Sequence, residues 1–285
     1  MMELLTVFWG PKHLDVFKRG LLRSLNLPQN KEAISCSPWN VFTDQPRELL
    51  GDLPANAVVR DLSNLRTYTD PIQAALVWQI NECLVKKSKL LLAPPDTIFG
   101  DGSIENLVKL SRNHGDCVLS PHPRVLPSIL DKALPSSRSE LVTLAWEHLH
   151  KSWTHAEQGH KENSSFIGGV TWQRLDSSIA VTHLLPTVYL ADFLPEDLEY
   201  FKTAISFGDW DHTWAIKLLG FDTNGRMTLP NRVRYAASSD IAFICEVTDA
   251  DKNIPSYHHD HPKDGSFWKD HAHNRINRGI IATFR

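Results

Sequence analysis

The feature of this sequence that most constrains its fold is an alternation of short apolar runs with longer segments of helical periodicity, seen between residues 1 and 120. The run Leu4–Trp9 predicts a buried strand, which Gly10 and Pro11 end. Residues 12–25 place their apolar side chains at helical spacing, which predicts an amphipathic helix. A strand followed by a helix is the opening of an α/β unit.

The same alternation continues along the first half of the chain. The further elements predicted there are a strand at 39–43, a helix that begins after Asp70 and ends within 86–89, a strand at 90–92, a helix at 103–114 and a strand at 117–119. Strands that alternate with helices predict an α/β fold with a mostly parallel sheet covered by helices.

The pattern changes near Pro135, where we place a boundary between residues 1–135 and residues 136–285. The second part predicts a helix at 139–150, a polar loop at 154–165, strands within 170–190, a helix at 192–204 and a strand within 235–247. The two parts are interpreted as subdomains that are packed together or continuous.

Composition narrows the function classes. With 285 residues and a formal net charge of -3, the chain has no basic field to attract a polyanion, so general nucleic-acid binding is not expected. No apolar run reaches the roughly 18 residues that a membrane span needs. The 4 cysteines include no Cys-x-x-Cys pair, which argues against a zinc knuckle or a disulfide framework and favours a cytoplasmic location. Acidic Glu3 lies where a secretory signal peptide carries positive charge, which favours the same location.

Two carboxylates follow the predicted strand at 90–92. Asp96 comes directly after it, and Asp101 lies a few residues further on, before the next helix. Carboxylates at the carboxyl end of a parallel strand are suited to holding a divalent cation against a diphosphate. The alternative is that Asp96 forms a turn and Asp101 belongs to an Asp-Gly turn.

The stretch LLLAPPDTIFGDGSIENLVKLSRNHGDCVLSPHPRV, residues 90–125, resembles nucleotide-sugar glycosyltransferases of the GT-A type. In that family a strand ends in an acidic motif that is followed by a turn, a helix and a strand ending near an arginine. Residues 7–30 resemble the family's first strand and helix, and VFTD at 41–44 resembles the end of its next strand. The segments THLLPTVYL and RYAASSDIAFICEV also resemble family motifs.

The resemblance implies a GT-A-like fold and an enzyme that moves a sugar from a nucleotide-sugar donor to an acceptor. It implies that residues 1–135 hold the donor near Trp9, Gly10, Thr43, Asp44 and Asp101, and that residues 136–285 contact the acceptor. A glycan, a lipid, a protein or a modified nucleobase all remain open as the acceptor. For Trp9 the alternative is an ordinary core position.

Metal binding is the point where the sequence departs from the family. The family usually has Asp-x-Asp at the strand end, whereas here Asp96 follows two prolines and is a single acid. Manganese or magnesium would then need another ligand, and the tail supplies His258, His259 and His261, followed by His271 and His273. The alternative is that the tail is a solvated polar loop.

Three further residues are candidates for catalysis. His183 lies in a segment that matches a histidine-containing strand of the family, and its alternative is a hydrogen-bonded core histidine. Asp209 and Asp211 flank Trp210, an arrangement suited to binding sugar hydroxyls while an indole stacks on the ring. The same residues also fit the start of a helix.

Other catalytic motifs are absent from the sequence, including GxxxxGK[ST], GxGxxG, GxSxG and HExxH. Two functions remain beside glycosyl transfer. One is a metalloenzyme, such as a hydrolase, that uses the histidines and carboxylates. The other is a protein of the same fold that binds a nucleotide or glycan without turnover.

Overall fold

The computed structural model describes residues 1–65, 70–157, 170–182, 186–203, 231–252 and 282–285, together with 218, 220–221 and 227–228. The helices are α1 (Gly10–Val16), α2 (Arg23–Leu25), α3 (Pro28–Ile34), α4 (Pro71–Lys86), α5 (Ser103–Leu110), α6 (Arg138–Glu147), α7 (Lys151–Thr154) and α8 (Pro195–Thr203). A π-helical segment (Phe17–Leu22) joins α1 to α2, and 3₁₀ turns lie at Arg47–Leu49, Leu62–Asn64 and Pro127–Asp131.

Fifteen strands are present in the described part of the chain. They are β1 (Met2–Phe8), β2 (Trp39–Thr43), β3 (Ala57–Asp61), β4 (Lys89–Leu92), β5 (Thr97–Phe99), β6 (Cys117–Ser120), β7 (Arg124–Val125), β8 (Thr171–Leu175), β9 (Ser178–Thr182), β10 (Thr187–Ala191), β11 (Gly220–Phe221), β12 (Met227–Thr228), β13 (Val233–Tyr235), β14 (Ile244–Val247) and β15 (Ala282–Phe284).

Seven strands form a central sheet in the order β13-β6-β10-β4-β1-β2-β3. All of them run parallel except β10, which is antiparallel to both neighbours. The chain leaves β1 toward β2 and β3 on one side and later returns to β4 on the other side. The direction of winding therefore reverses between β1 and β4, and in open α/β sheets such a reversal leaves a crevice at the carboxyl ends of the two strands.

Helices cover both faces of this sheet. Leu4 and Phe8 of β1 pack with α1–α3 in one core cluster, whereas Leu5 packs with α4 and α8 in another. Successive residues of a strand point to opposite faces, so each face of β1 contributes to a different core. The predicted α/β class with a mostly parallel, helix-flanked sheet is confirmed.

Three smaller sheets accompany the central one in the described residues: β5-β14-β7, β15-β9-β8 and β11-β12. A third core cluster, rich in aromatic residues, takes side chains from the first two of these sheets and includes Trp146, Trp153, Trp172, Phe243 and Phe284. Strands β10 and β13 come from residues beyond 135 but pair within the central sheet. Both parts of the chain thus share one sheet across the predicted boundary.

Several predicted boundaries are corrected. The helix predicted at 103–114 ends at Leu110, because Lys89 donates to the oxygens of Ser111 and because residues 113–116 form a turn closed by Asp116. The prediction missed strand β3 and helix α3. Helix α4 is confirmed, with the Asp70 carboxylate accepting from the Ile72 N–H at 2.8 Å. None of the helices in the described residues has the length and apolar character to cross a membrane.

Candidate functional site

A cavity of about 240 Å³ opens at the carboxyl ends of β1 and β4, where the winding of the sheet reverses. One wall is apolar and comprises Leu5, Val7, Ile72, Leu76 and Leu92. Polar and aromatic side chains form the rest, among them Trp9, His13, Asp96, Arg124, Glu246 and Lys252. An apolar wall that faces a few convergent polar groups is typical of small-molecule sites.

The loop after β4 holds Asp96 at this cavity. The Thr6 hydroxyl donates to the Ala93 carbonyl at 2.8 Å, and the Thr97 N–H donates to the Pro94 carbonyl at 3.1 Å, which closes a turn with Pro95 and Asp96 at its centre. Proline is favoured at the first central position of such turns because its φ is already fixed. The Val247 N–H donates to the Asp96 carbonyl at 2.7 Å, so Asp96 is held from both sides.

A three-stranded sheet brings two further charged residues to Asp96. In the register of β14, Glu246 lies opposite Thr97 of β5 on one side and opposite Arg124 of β7 on the other. Asp96 immediately precedes Thr97 in the chain. Three segments that are remote in sequence therefore meet at one point on the cavity wall.

Glu246 is surrounded by hydrogen-bond donors. His122 Nε2 lies 3.3 Å from Glu246 Oε2, and Arg124 Nε lies 3.4 Å from Glu246 Oε1. The Thr248 hydroxyl donates to Glu246 Oε1 at 3.1 Å. His122 is itself buried, with its ring edge-on to Tyr189 of β10.

The two carboxyl groups ionise differently. Burial, together with the negative charge of Glu246, raises the pKa of Asp96 to about 7, against the partial compensation of Lys252 and Arg124. Burial also opposes ionisation of Glu246, but Arg124 and the hydrogen-bonded His122 outweigh it and hold the Glu246 pKa well below its ordinary range. Two neighbouring carboxyls with separated pKa values are suited to acid–base chemistry, in which Asp96 exchanges the proton and Glu246 stays an anion.

Trp9 lies at the mouth of the cavity, and Gly10 follows it in the chain. The Trp9 side chain is 42% exposed although it follows a buried strand, so its ring is open to a ligand rather than packed in the core. His13 lies one helical turn away, with Nδ1 2.8 Å from the Trp9 carbonyl. The Gly10 N–H donates to both Asp44 oxygens, at 3.0 and 3.3 Å.

Asp44 therefore joins the end of β2 to the start of α1. Its neighbour Thr43 is buried, and the Thr43 hydroxyl accepts from the Gln45 N–H at 3.1 Å. Thr43 and Asp44 line a neighbouring surface groove, between the ends of β2 and β3. Of the predicted donor-binding residues, Trp9 lines the cavity, Gly10 adjoins it, and Asp44 is connected to it through Gly10.

Asp101 is placed differently from the prediction. Its carboxylate is buried and accepts from the N–H groups of Gln29 and Asn30, at 2.9 and 3.0 Å. These N–H groups belong to the first turn of α3, where the helix itself supplies no acceptor. The N-cap residue of α3, Leu27, has no side-chain acceptor either. Asp101 thus caps α3 from a distant segment and is not part of the cavity lining.

The other predicted catalytic and metal residues lie outside the described part of the chain. They are His183, Asp209, Asp211, His258, His259 and His261, with His271 and His273. Their predicted roles stay predictions.

The described residues do not by themselves fit a divalent cation. They contain no group of three or more His, Cys, Asp or Glu side chains arranged to hold a metal ion. Glu246, on β14, is the carboxylate whose charge acts on Asp96, and its oxygens already accept from or pair with Arg124, His122 and Thr248. A metal centre at Asp96 would need ligands from outside the described residues, such as the predicted histidines.

Glu246, His122 and Lys252 are not among the residues predicted from the sequence, and Arg124 enters only through the family resemblance. The sequence does carry a signal for Glu246, His122 and Arg124. Glu246 is a single acid inside the apolar run at 241–247, and a charge in a buried strand requires a partner. His122 and Arg124 follow a buried strand, as Asp96 does, so the rule that selected Asp96 applied to them as well.

Comparison of the chain with protein-family models gives no matching family, and comparison with curated proteins gives no match.

Proposed function

We propose that this protein is a glycosyltransferase of the GT-A type, which transfers a sugar from a nucleotide-sugar donor to an acceptor hydroxyl. The observation that carries the proposal is the cavity at the ends of β1 and β4, where an exposed indole, a carboxyl group and two cations converge. Open α/β sheets bind nucleotides at this kind of position. The motif resemblance of residues 90–125 supports the same assignment.

The donor is proposed to span the cavity and its mouth. At about 240 Å³ the cavity is small for a whole nucleotide sugar, so the sugar and phosphates would occupy it. The nucleoside would lie at the mouth, where the exposed Trp9 ring offers a flat surface on which a base can stack. Asp44, exposed beside Gly10, is the nearest candidate to accept hydrogen bonds from a ribose.

Asp96 is proposed to receive the proton of the acceptor hydroxyl. A base works best when its pKa lies near the working pH, and the Asp96 pKa of about 7 meets that condition. The Glu246 anion beside it favours proton uptake by Asp96. Holding donor and acceptor in line would supply much of the remaining acceleration.

The test uses UDP-, GDP-, ADP-, CDP- and TDP-sugars, each with and without manganese. Donors that carry one of these bases are expected to bind the folded protein and to raise its melting temperature, because a ligand of the native state stabilises that state by mass action. With a mixture of alcohol and glycan acceptors, the matching donor should release its nucleoside diphosphate. Asp96→Asn should abolish release while keeping donor binding, and Asp52→Asn, at an exposed aspartate outside the cavity lining, should change neither.

The other outcomes separate the rival functions. Release that needs no acceptor would indicate a hydrolase, and binding without release would indicate a non-catalytic nucleotide-binding protein. If no nucleotide sugar binds under any condition, the proposal is wrong.

A further inference from the structure

Two cationic side chains reach the cavity from different elements. Arg124 comes from β7, and Lys252 comes from the turn that follows β14. Their charges act on both Asp96 and Glu246, which places all four groups within electrostatic range of one another.

Arg124 is paired with Glu246 through both its backbone and its side chain. The two residues lie opposite each other in the β14–β7 register, and Arg124 Nε is 3.4 Å from Glu246 Oε1. A guanidinium carries further N–H donors on its two Nη atoms, in a planar fork that matches two oxygens of a phosphate. The Arg124 side chain is 17% exposed, so it is desolvated enough to favour an anionic ligand and still open to the cavity.

Lys252 is exposed and belongs to a turn with defined anchors. The Lys252 N–H donates to the Asp249 carbonyl at 3.0 Å, and the Asp249 side chain forms an ion pair with Lys12 of α1. The turn is thereby joined to α1, whose His13 also lines the cavity. Lys252 itself lines the cavity.

We propose that Arg124 and Lys252 form a binding site for the diphosphate of a nucleotide ligand, and that this site works without a divalent cation. The role in transfer rests on the proposed function, whereas the anion site itself does not. In the transfer step the acceptor oxygen forms a bond to the anomeric carbon as the bond from that carbon to the diphosphate oxygen breaks. The electron pair stays on the diphosphate, and the acceptor proton passes to Asp96.

The two cations would act on the charge that develops in that step. The leaving diphosphate gains negative charge as the bond breaks, and preorganised donors in a partly desolvated site stabilise such charge more than water does. Within the described ranges Glu246 contacts Arg124 through Nε, and no ion pair of the Nη atoms is present there, so these atoms are proposed to bind the phosphate oxygens.

The experiment is calorimetric titration of the full chain with inorganic pyrophosphate and with UDP, in buffer containing a chelator. Lys252→Gln is expected to weaken pyrophosphate binding about tenfold, which corresponds to the loss of one exposed charge-assisted contact. Arg124→Gln should weaken it more, and Arg124→Lys should lie between, because it keeps the charge but loses the planar fork. Arg112→Gln, at an exposed arginine outside the cavity lining, is the matched control and should bind as the wild type does.

Arg124→Gln removes a partner of the half-buried Glu246, so its melting temperature is measured alongside, and the double change Arg124→Gln with Glu246→Gln restores the charge balance. Lys252→Gln is at an exposed position and keeps the proposal testable if both of these variants fail to fold. Unchanged affinity in Lys252→Gln and in every folded Arg124 variant would overturn the anion site, as would pyrophosphate binding that appears only when manganese is added.

The two proposals fail separately. If the protein turns over a nucleotide sugar but does not bind pyrophosphate in the presence of chelator, the glycosyltransferase proposal is supported and the metal-independent anion site is wrong. If pyrophosphate binds through Arg124 and Lys252 but no nucleotide sugar binds, the anion site is supported and the glycosyltransferase proposal is wrong.

Discussion

The central sheet around β1 and the small sheet β5-β14-β7 are built on different principles. In the first, β1, β2 and β3 follow one another in the chain, and fully buried apolar side chains such as Leu4, Trp39 and Val41 fill the space against the helices. In the second, strands of two to four residues are brought together across long stretches of sequence, with β14 more than a hundred residues from both β5 and β7, and charged side chains lie on them.

The central sheet mainly stabilises the fold, whereas the small sheet mainly positions the charged groups of the candidate site. Apolar burial in the central sheet supplies a rigid frame, because closely packed side chains resist displacement. The small sheet uses that frame to place Asp96, Arg124 and Glu246 beside one another, at the cost of burying charges that need partners. Substitutions in each region test whether the two regions divide these tasks.

The largest effect is expected from the central sheet. Trp39 is fully buried, and its Nε1 donates to the Thr6 hydroxyl at 3.0 Å. Trp39→Ala should lower the free energy of unfolding by about 3–5 kcal/mol, since it removes packing and leaves a cavity. Trp39→Phe keeps most of the packing and should cost less. Denaturant unfolding measures both, and a loss below about 1 kcal/mol for Trp39→Ala would mean that this sheet does not dominate stability.

The same contrast explains how far the sequence predicts the fold. Helix α4 was predicted because its signals are local: Asp70 caps it, Pro71 starts it, and an apolar face repeats at helical spacing. Strand β2 was predicted with its correct bounds for the same reason. Strand β3 was missed because its edge position exposes part of its residues, as at Val58, and no continuous apolar run marks it.

The candidate site was predicted only where its residues follow strands of the central sheet. Trp9 and Asp96 were selected by that rule, and both line the cavity. Asp101 satisfied a similar rule but caps α3, which was itself missed, so its partners were invisible in the sequence. Glu246 reaches Asp96 through pairing of β14 with β5, and such long-range register is not encoded in local periodicity.

The second prediction concerns Asp96 and pH. In the unfolded chain its pKa is near 3.8, and in the folded protein it is about 7, so between these values the folded state holds a proton that the unfolded state has released. The contribution of Asp96 to stability therefore falls as pH rises from about 4 to 7, at no more than about 1.4 kcal/mol per pH unit. Asp96→Asn removes this titration.

The free energy of unfolding of the wild type minus that of Asp96→Asn should accordingly decrease from pH 5 to pH 8. His150, whose pKa burial lowers, titrates in part of the same range with the opposite effect, but it is common to both proteins and cancels in the difference. Glu246 loses its proton well below this range. Denaturant titrations at each pH measure the difference, with Asp52→Asn as the control; a difference that does not vary with pH would contradict the raised pKa.

A smaller effect is expected from Asp101, and it is one of stability alone. Asp101→Ala leaves the N–H groups of Gln29 and Asn30 without their acceptor, which should cost about 1–2 kcal/mol, as the loss of a helix cap does. Pyrophosphate binding by the folded protein should stay unchanged. Asp101→Asn keeps an oxygen acceptor and should recover part of the loss. A change in ligand affinity would instead place Asp101 in the functional site.

The smallest effect is expected where the two regions are joined by an exposed contact. Lys12 of α1 and Asp249 of the turn after β14 form an ion pair, with side-chain exposures of 67% and 36%. Water and salt screen such pairs, and ordering two flexible side chains offsets their attraction, so the stability of the protein should depend on it little. Lys12→Gln, Asp249→Asn and the double variant form a cycle whose coupling isolates the pair from the other effects of each change. We expect a weak favourable coupling in low salt that disappears at high salt, read from melting temperatures of all four proteins.

The turn also carries Lys252, so the same four proteins report whether the pair orders the ligand site. Pyrophosphate affinity should fall slightly in each single variant, and no further in the double variant. A large stability coupling that persists at high salt would show that the Lys12–Asp249 ion pair contributes substantially to the stability of the fold. It would contradict the division of tasks between the two sheets.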